Sequence, residues 1–159
     1  MNNTNTFFFL IVLFLFQNSF ASEFMYVNET DEFTDEPKLN FGILDDTASG
    51  GVMVTCNNKQ FFLGANTESF FESKSSVDVK IRFDKDDVIT KNLNVVGNRL
   101  VYASDRNFIM NILDRIKDSS VFILKIGTEK TLTFSGYEGV DVEIDKFLND
   151  LRLIESCNS

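Results

Sequence analysis

The chain has 159 residues, 24 Asp and Glu against 15 Lys and Arg for a formal net charge of −9, two cysteines and no histidine. Without histidine it lacks the usual general base, the usual partner of a Ser or Cys nucleophile and the commonest zinc ligand. The acidic balance disfavours nucleic-acid phosphate and anionic membranes as partners, and the length suits one domain of roughly 100–150 residues.

The first element is an unbroken apolar run from Phe7 to Phe16, followed by the small-residue pattern Ser19-Phe20-Ala21. At ~1.5 Å per helical residue the run spans about half of a bilayer core, which fits a secretory signal better than an anchor. Gln17, Asn18 and Ser19 interrupt it, and the segment Met1 to Thr6 holds no Lys or Arg, so only the amino terminus supplies positive charge there. No Cys follows the run, which argues against a bacterial lipoprotein. The expectation is a signal peptide over 1–21, cleavage after Ala21, no stable membrane insertion afterwards, and a periplasmic or secreted protein. An uncleaved anchor or a buried N-terminal strand are the alternatives. All the formal charge lies beyond residue 21.

Residues 22–37 read as an acidic lead-in, partly disordered, in which Phe33 is the single apolar contact between Glu29 and Pro37. Asn28-Glu29-Thr30 matches a glycosylation sequon, relevant only in a eukaryotic secretory pathway. Residues 38–159 read as a single α+β domain. Lys38 to Leu44 alternates through Leu39, Phe41 and Ile43 and ends at the turn-rich Asp45 to Gly51. Val52 to Cys56 and Gln60 to Leu63 flank Asn57-Asn58-Lys59 as a hairpin. Val77 to Phe83 is the clearest strand, with Val77, Val79, Ile81 and Phe83 on one face and Asp78, Lys80 and Arg82 on the other. Weaker alternation runs from Val88 to Val96, and Gly97-Asn98 leads into Arg99 to Ala103 as a second hairpin. Ser104 can cap a helix from Asp105 to Lys117, whose Phe108, Ile109, Ile112, Leu113 and Ile116 make one apolar stripe. Val121 to Ile126 and Thr131 to Phe134 follow as neighbouring strands. A second helix starts near Gly139, with Val140, Ile144, Phe147, Leu148 and Leu151 at helical offsets, and delivers the chain to Cys157. The order predicts a curved antiparallel sheet or small sandwich of about seven strands with two helices in the C-terminal half.

Cys56 and Cys157 are expected to form one disulfide in an oxidising compartment, closing a loop of about 100 residues. Free buried thiols or an intermolecular bridge remain as alternatives. The two are too far apart in sequence for a CxxC redox motif and too few for a zinc site. Gly50-Gly51 lacks the spacing of a phosphate-binding loop. Carboxylate pairs are the one catalytic device left open, with Asp84, Asp86, Asp87 and the group from Glu29 to Glu36 as candidates for acid–base work on a glycosidic bond. Such acidic runs are more often solvated loops, and Asp84 to Ile89 fails the EF-hand pattern. No catalytic residue, cofactor site or metal site is assigned. Adjacent aromatics at Phe61-Phe62 and Phe70-Phe71 point to opposite faces if extended, so one of each pair could meet a partner; burial under a second layer is the simpler expectation.

The order of motifs resembles the VasI-type proteins associated with bacterial type VI secretion. The likeness runs from about Asp35 to Cys157. It is carried by a strand ending in Cys56, by Val79-Lys80-Ile81-Arg82-Phe83-Asp84, by a helix with Phe108-Ile109 and Leu113, and by Phe134-Ser135-Gly136 before a helix reaching Cys157. Proteins of that family often carry tryptophan before the acidic lead-in and after the Arg-Phe-Asp strand, whereas this chain contains none. The resemblance implies an envelope or periplasmic accessory domain without known catalysis. Arg82 and Asp84 are expected to form a structural ion pair. The expected function is a non-enzymatic exported accessory or binding domain with a protein partner in the cell envelope. The alternatives are a carboxylate-dependent hydrolase of envelope polysaccharide and an inhibitor of an envelope enzyme.

Overall fold

A computed structural model describes residues 22–57, 60–67, 76–97, 99–128, 130–154 and 157. The expected signal segment 1–21 and the pair Phe70-Phe71 lie outside the described residues. The strands are β1 (Phe24–Thr30), β2 (Pro37–Leu44), β3 (Gly50–Asn57), β4 (Gln60–Thr67), β5 (Ser76–Phe83), β6 (Ile89–Val96), β7 (Leu100–Ala103), β8 (Val121–Ile126) and β9 (Lys130–Ser135). The helices are α1 (Arg106–Asp118) and α2 (Val140–Leu153).

Alternation decides which face of the sheet is dry. Val77, Val79, Ile81 and Phe83 of β5 are buried while Asp78, Lys80 and Arg82 are exposed. Antiparallel register carries that division across the sheet: Phe83 faces Phe122, which faces Phe134, and the last two rings stack with centroids 4.0 Å apart. Among the described residues, the nine strands form one antiparallel sheet in the order β1-β2-β3-β4-β7-β6-β5-β8-β9. On the dry face, α2 packs against β1 and β2 while α1 packs against β4 and α2. The buried stripes Ile109-Ile112-Leu113-Ile116 and Ile144-Phe147-Leu148-Leu151 supply the helical half of the core.

The sheet is strongly curled. Laid flat at ~4.8 Å per strand, its two edges would stand roughly 40 Å apart. Instead the amide of Ser22, just before β1, donates to the carbonyl of Ser135 at the end of β9 at 2.9 Å, and the amide of Asp46 donates to Thr133 of β9 at 2.8 Å. The predicted α+β class with two late helices holds as a single antiparallel sheet, but with nine strands where about seven were expected.

The main correction concerns the segment taken as an acidic lead-in. Residues 24–30 are β1, paired along their whole length with β2 from Phe24↔Ile43 to Thr30↔Pro37. Phe24 and Tyr26 pack against the core and supply the apolar contact that the acids further along conceal. The start of α1 also differs by one residue. Asp105, not Ser104, is the N-cap, and its carboxylate accepts the Phe108 amide at 3.1 Å.

Cys56 is the last residue but one of β3 and Cys157 follows α2; both are buried, and they are joined as a disulfide with their Cα atoms 6.1 Å apart. The bond ties the C-terminal segment to the middle of the sheet across a sequence separation of 101.

Candidate functional site

The β1–β2 hairpin ends in a six-residue turn, Asp31 to Glu36, that is built by its first residue. The Asp31 carboxylate accepts the amides of Phe33 and Thr34, each at 3.0 Å. Its own amide donates to Glu36 and its carbonyl accepts from Asp35, both at 2.9 Å. Thr34 Oγ1 accepts the Glu36 amide at 3.4 Å. Asp35 completes the turn with φ of 54°, a left-handed conformation that Asp tolerates better than most side chains. The two amides, Phe33 first, hold the Asp31 carboxyl below its ordinary range.

This scaffold displays a phenylalanine to solvent. Phe33 is 95% exposed, the most exposed of the large apolar side chains among the described residues. The same turn carries Asp31, Glu32, Asp35 and Glu36, while Glu29 on β1 is engaged with Lys38, the nearest cation in sequence, at 2.9 Å. A rigidly held turn presents its aromatic ring with part of the ordering cost of binding already met. The acidic rim sets a charge preference on whatever receives the ring.

A second surface lies on the outer face of the sheet. Register aligns Met25, Gly42, Met53, Gly64 and Tyr102 in one row across β1, β2, β3, β4 and β7. Gly42, Met53, Gly64 and Tyr102 alternate with buried neighbours and Met25 with the partly buried Phe24 and Tyr26, so the row faces away from the helices. Gly42 and Gly64 leave bare backbone on either side of Met53, and Leu44, Leu100 and Gly51 extend the trough to about 570 Å³. At Gly51 a Cβ would sit 2.8 Å from the Ile43 carbonyl oxygen, so only glycine fits there. Glycine inside strands, as at Gly42 and Gly64, is the sequence signal for such a trough.

The residues singled out from sequence are dispersed. Asp84 leaves β5 with φ of 44°, and its carboxylate accepts the amides of Ser120 and Val121 at 3.1 and 3.0 Å. That places it against the α1–β8 connection, and the expected ion pair with Arg82 is not among the ion pairs of the described residues. Asp86 pairs with Arg115 at 2.5 Å, while Asp87 is exposed. The Glu29 to Glu36 acids lie on β1 and its turn, at a separate place in the fold. Phe61 packs against the core beneath the Arg106 guanidinium, 5.0 Å from the ring centre, and Phe62 is half-buried on the other face. Asn28 of the sequon donates to Asp150 at 2.7 Å.

Among the described residues no group of three or more Cys, Asp or Glu is placed to hold a metal ion, and no helix is long and apolar enough to cross a membrane. No family model, no curated protein and no solved structure matches the chain.

Proposed function

We propose that this chain is a non-enzymatic, exported binding domain of the cell envelope, and that it engages a protein partner through the β1–β2 turn. The single observation that carries the assignment is Phe33, an aromatic side chain at 95% exposure on a turn fixed by the Asp31 carboxylate. Solvating an unpaired phenyl ring is unfavourable, whereas an aromatic anchor inserted into a pocket is a common source of binding energy. The four carboxylates of the turn, Asp31, Glu32, Asp35 and Glu36, call for a receiving pocket rimmed by Lys or Arg, which speeds encounter and rejects acidic surfaces. Export follows from the apolar run and the small residues ending at Ala21, and the disulfide suits an oxidising compartment. The resemblance to VasI-type proteins supports an accessory role in the envelope, with association to a secretion system as its narrower form.

A photo-crosslinking side chain placed at position 33 of the exported protein tests this. Expected is a discrete protein adduct, weakened by raising salt to about 0.5 M because screening shortens the reach of the acidic rim. The same group at Leu153, another exposed apolar position, gives no such adduct. Phe33→Ala should weaken capture of the cross-linked partner by about 30-fold or more, equivalent to ~2 kcal/mol. Gly42→Val, which fills the outer trough, should leave it unchanged. Glycan cleavage by the purified protein that disappears in Asp84→Asn or Asp86→Asn would overturn the assignment, as would a partner whose capture is insensitive to Phe33.

A further inference from the structure

Ser22 is the residue that the sequence places immediately after the expected cleavage point, and it is only 5% exposed. Its amide nitrogen donates to the Ser135 carbonyl at 2.9 Å. Its hydroxyl donates to Asp46 Oδ1 at 2.8 Å and accepts the Ser135 amide at 3.1 Å. Asp46 takes three bonds in this cluster, since Oδ1 also accepts the Ser135 amide at 2.8 Å and Oδ2 the Ser135 hydroxyl at 2.7 Å. Three residues far apart in sequence therefore fasten the first strand, the β2–β3 turn and the last strand of the sheet to one another. Small residues before a scissile bond and a buried, fully engaged residue just after it are independent observations, and both point to position 22.

We infer that processing after Ala21 creates a functional amino terminus: the Ser22 α-ammonium docks on the Ser135 carbonyl beside the Asp46 carboxylate and closes the curled sheet. The inference rests on the export assignment above. Cleavage here breaks the Ala21–Ser22 amide with water, leaving a carboxylate on Ala21 and an amine on Ser22 that takes up a proton at neutral pH. The amide N–H has one hydrogen to give, to Ser135. The ammonium has three, and its positive charge lies within a serine side chain's reach of an anionic carboxylate. Charge-assisted hydrogen bonds of this kind are roughly twice as strong as neutral ones. Burial of Ser22 also fixes the order of events, because a scissile bond flanked by a residue at 5% exposure is closed to a protease once the sheet has curled. Processing precedes final folding.

The test uses the exported protein. Intact mass and N-terminal peptide mapping first establish whether the chain begins at Ser22; any other start sinks the export-and-cleavage assignment on which the dock depends. Acylation of the α-amine by an activated acetate ester is then followed by mass spectrometry of the N-terminal tryptic peptide, in the folded protein and in urea. Docking predicts labelling at least about tenfold slower in the folded protein than in the unfolded one. It also predicts that Asp46→Asn, verified as folded by circular dichroism, recovers most of that difference. A chain that begins at Ser22 but is labelled at the same rate folded and unfolded overturns the dock while leaving export intact. The wild-type comparison decides the matter even where Asp46→Asn does not fold.

Discussion

The phenol of Tyr26, on the first strand, donates its proton to the carboxylate of Asp150, on the last helix. Asn28 Nδ2 donates to the same oxygen at 2.7 Å, and the Tyr26 ring meets Phe147 edge-on with centroids 6.3 Å apart. Burial first, and then the hydrogen bond and charge of Asp150, push the Tyr26 pKa up to about 12 from its ordinary 10.0. The folded chain thus keeps a proton that the unfolded chain gives up. Stability from this group is fully present below about pH 10 and is lost as pH rises toward 12. Discounted for the part of the phenol that stays solvated, the loss is about 1–2 kcal/mol. Urea unfolding at pH 9 and pH 11 should therefore show a larger fall for wild type than for Tyr26→Phe. At pH 7 the variant should be less stable by ~1 kcal/mol through loss of the bond. Equal pH dependence in the two proteins would refute the linkage.

Reducing the Cys56–Cys157 bond frees a chain segment that the fold otherwise holds at both ends. A loop of about 100 residues corresponds to roughly 4–5 kcal/mol of lost stability in the chain-entropy model, and removal of native disulfides from small exported domains typically costs about 2–5. Cys56→Ser together with Cys157→Ser should lower the denaturant midpoint accordingly without changing the far-ultraviolet circular dichroism of whatever fraction remains folded. A loss below about 1 kcal/mol would show that the α2–sheet packing, with Phe147 against Phe41, already immobilises the segment unaided.

Most of the sheet is legible in the sequence, for a reason visible in β5: one face is buried and the other solvated, so Val77 to Phe83 must alternate. The helices are legible by the same logic at period 3.6. What escapes is β1, where four apolar residues in a row from Phe24 to Val27 hide the alternation and the acids after them suggest disorder. The candidate site is half legible. Phe33 stands out as an apolar residue among acids, but the turn that displays it depends on Asp31 accepting two particular amides, which composition does not encode. The Ser22–Asp46–Ser135 cluster is illegible, because its members are brought together only when the sheet curls through nine strands. Asp84 misleads in the opposite sense. Its period-two spacing from Arg82 suggests a same-face pair, whereas its left-handed backbone turns it toward Ser120.

Gly42 and Gly51 occupy the same trough under different constraints. A Cβ at Gly42 would have only the Val52 carbonyl oxygen near it, at 3.5 Å, an ordinary contact, whereas at Gly51 it would clash with the backbone. Gly42→Val should thus leave the melting temperature unchanged or raise it by a few degrees, since a β-branched residue suits a strand better than glycine. Gly51→Val should lower it clearly. Thermal melts of the two variants side by side check the geometry of the outer face, and an equal loss in both would contradict it.

Helix α1 begins at a charged cap. The Asp105 carboxylate accepts the Phe108 amide and meets Lys91 at 3.4 Å, which together hold its carboxyl below the usual range. Asp105→Ala leaves that amide without its partner and should lower the melting temperature by roughly 3 °C. Asp105→Ser keeps an acceptor and should recover most of it, whereas Ser104→Ala should have almost no effect. The reverse ranking would return the cap to Ser104.

Asp31 offers a way to separate the shape of the β1–β2 turn from its chemistry. Its carboxylate is exposed, so substitution should barely move global stability, yet two amides of the turn depend on it. Asp31→Ala removes both bonds and should let the Phe33 and Thr34 amides exchange with solvent freely, while those in the rest of β1 and β2 stay protected. Asp31→Asn keeps an acceptor oxygen without the charge and should preserve most of the protection. In wild type the carboxyl is held below its ordinary 3.8, so the ordering is complete above that pH and disappears as pH falls further through the lowered value. Hydrogen exchange at the turn across this acid range, compared with the Asn variant, should show a step in the wild type alone. If Asp31→Ala weakens capture by the partner although Phe33 is still in place, the turn contributes by pre-ordering the ring; unchanged capture would leave the ring alone as the determinant.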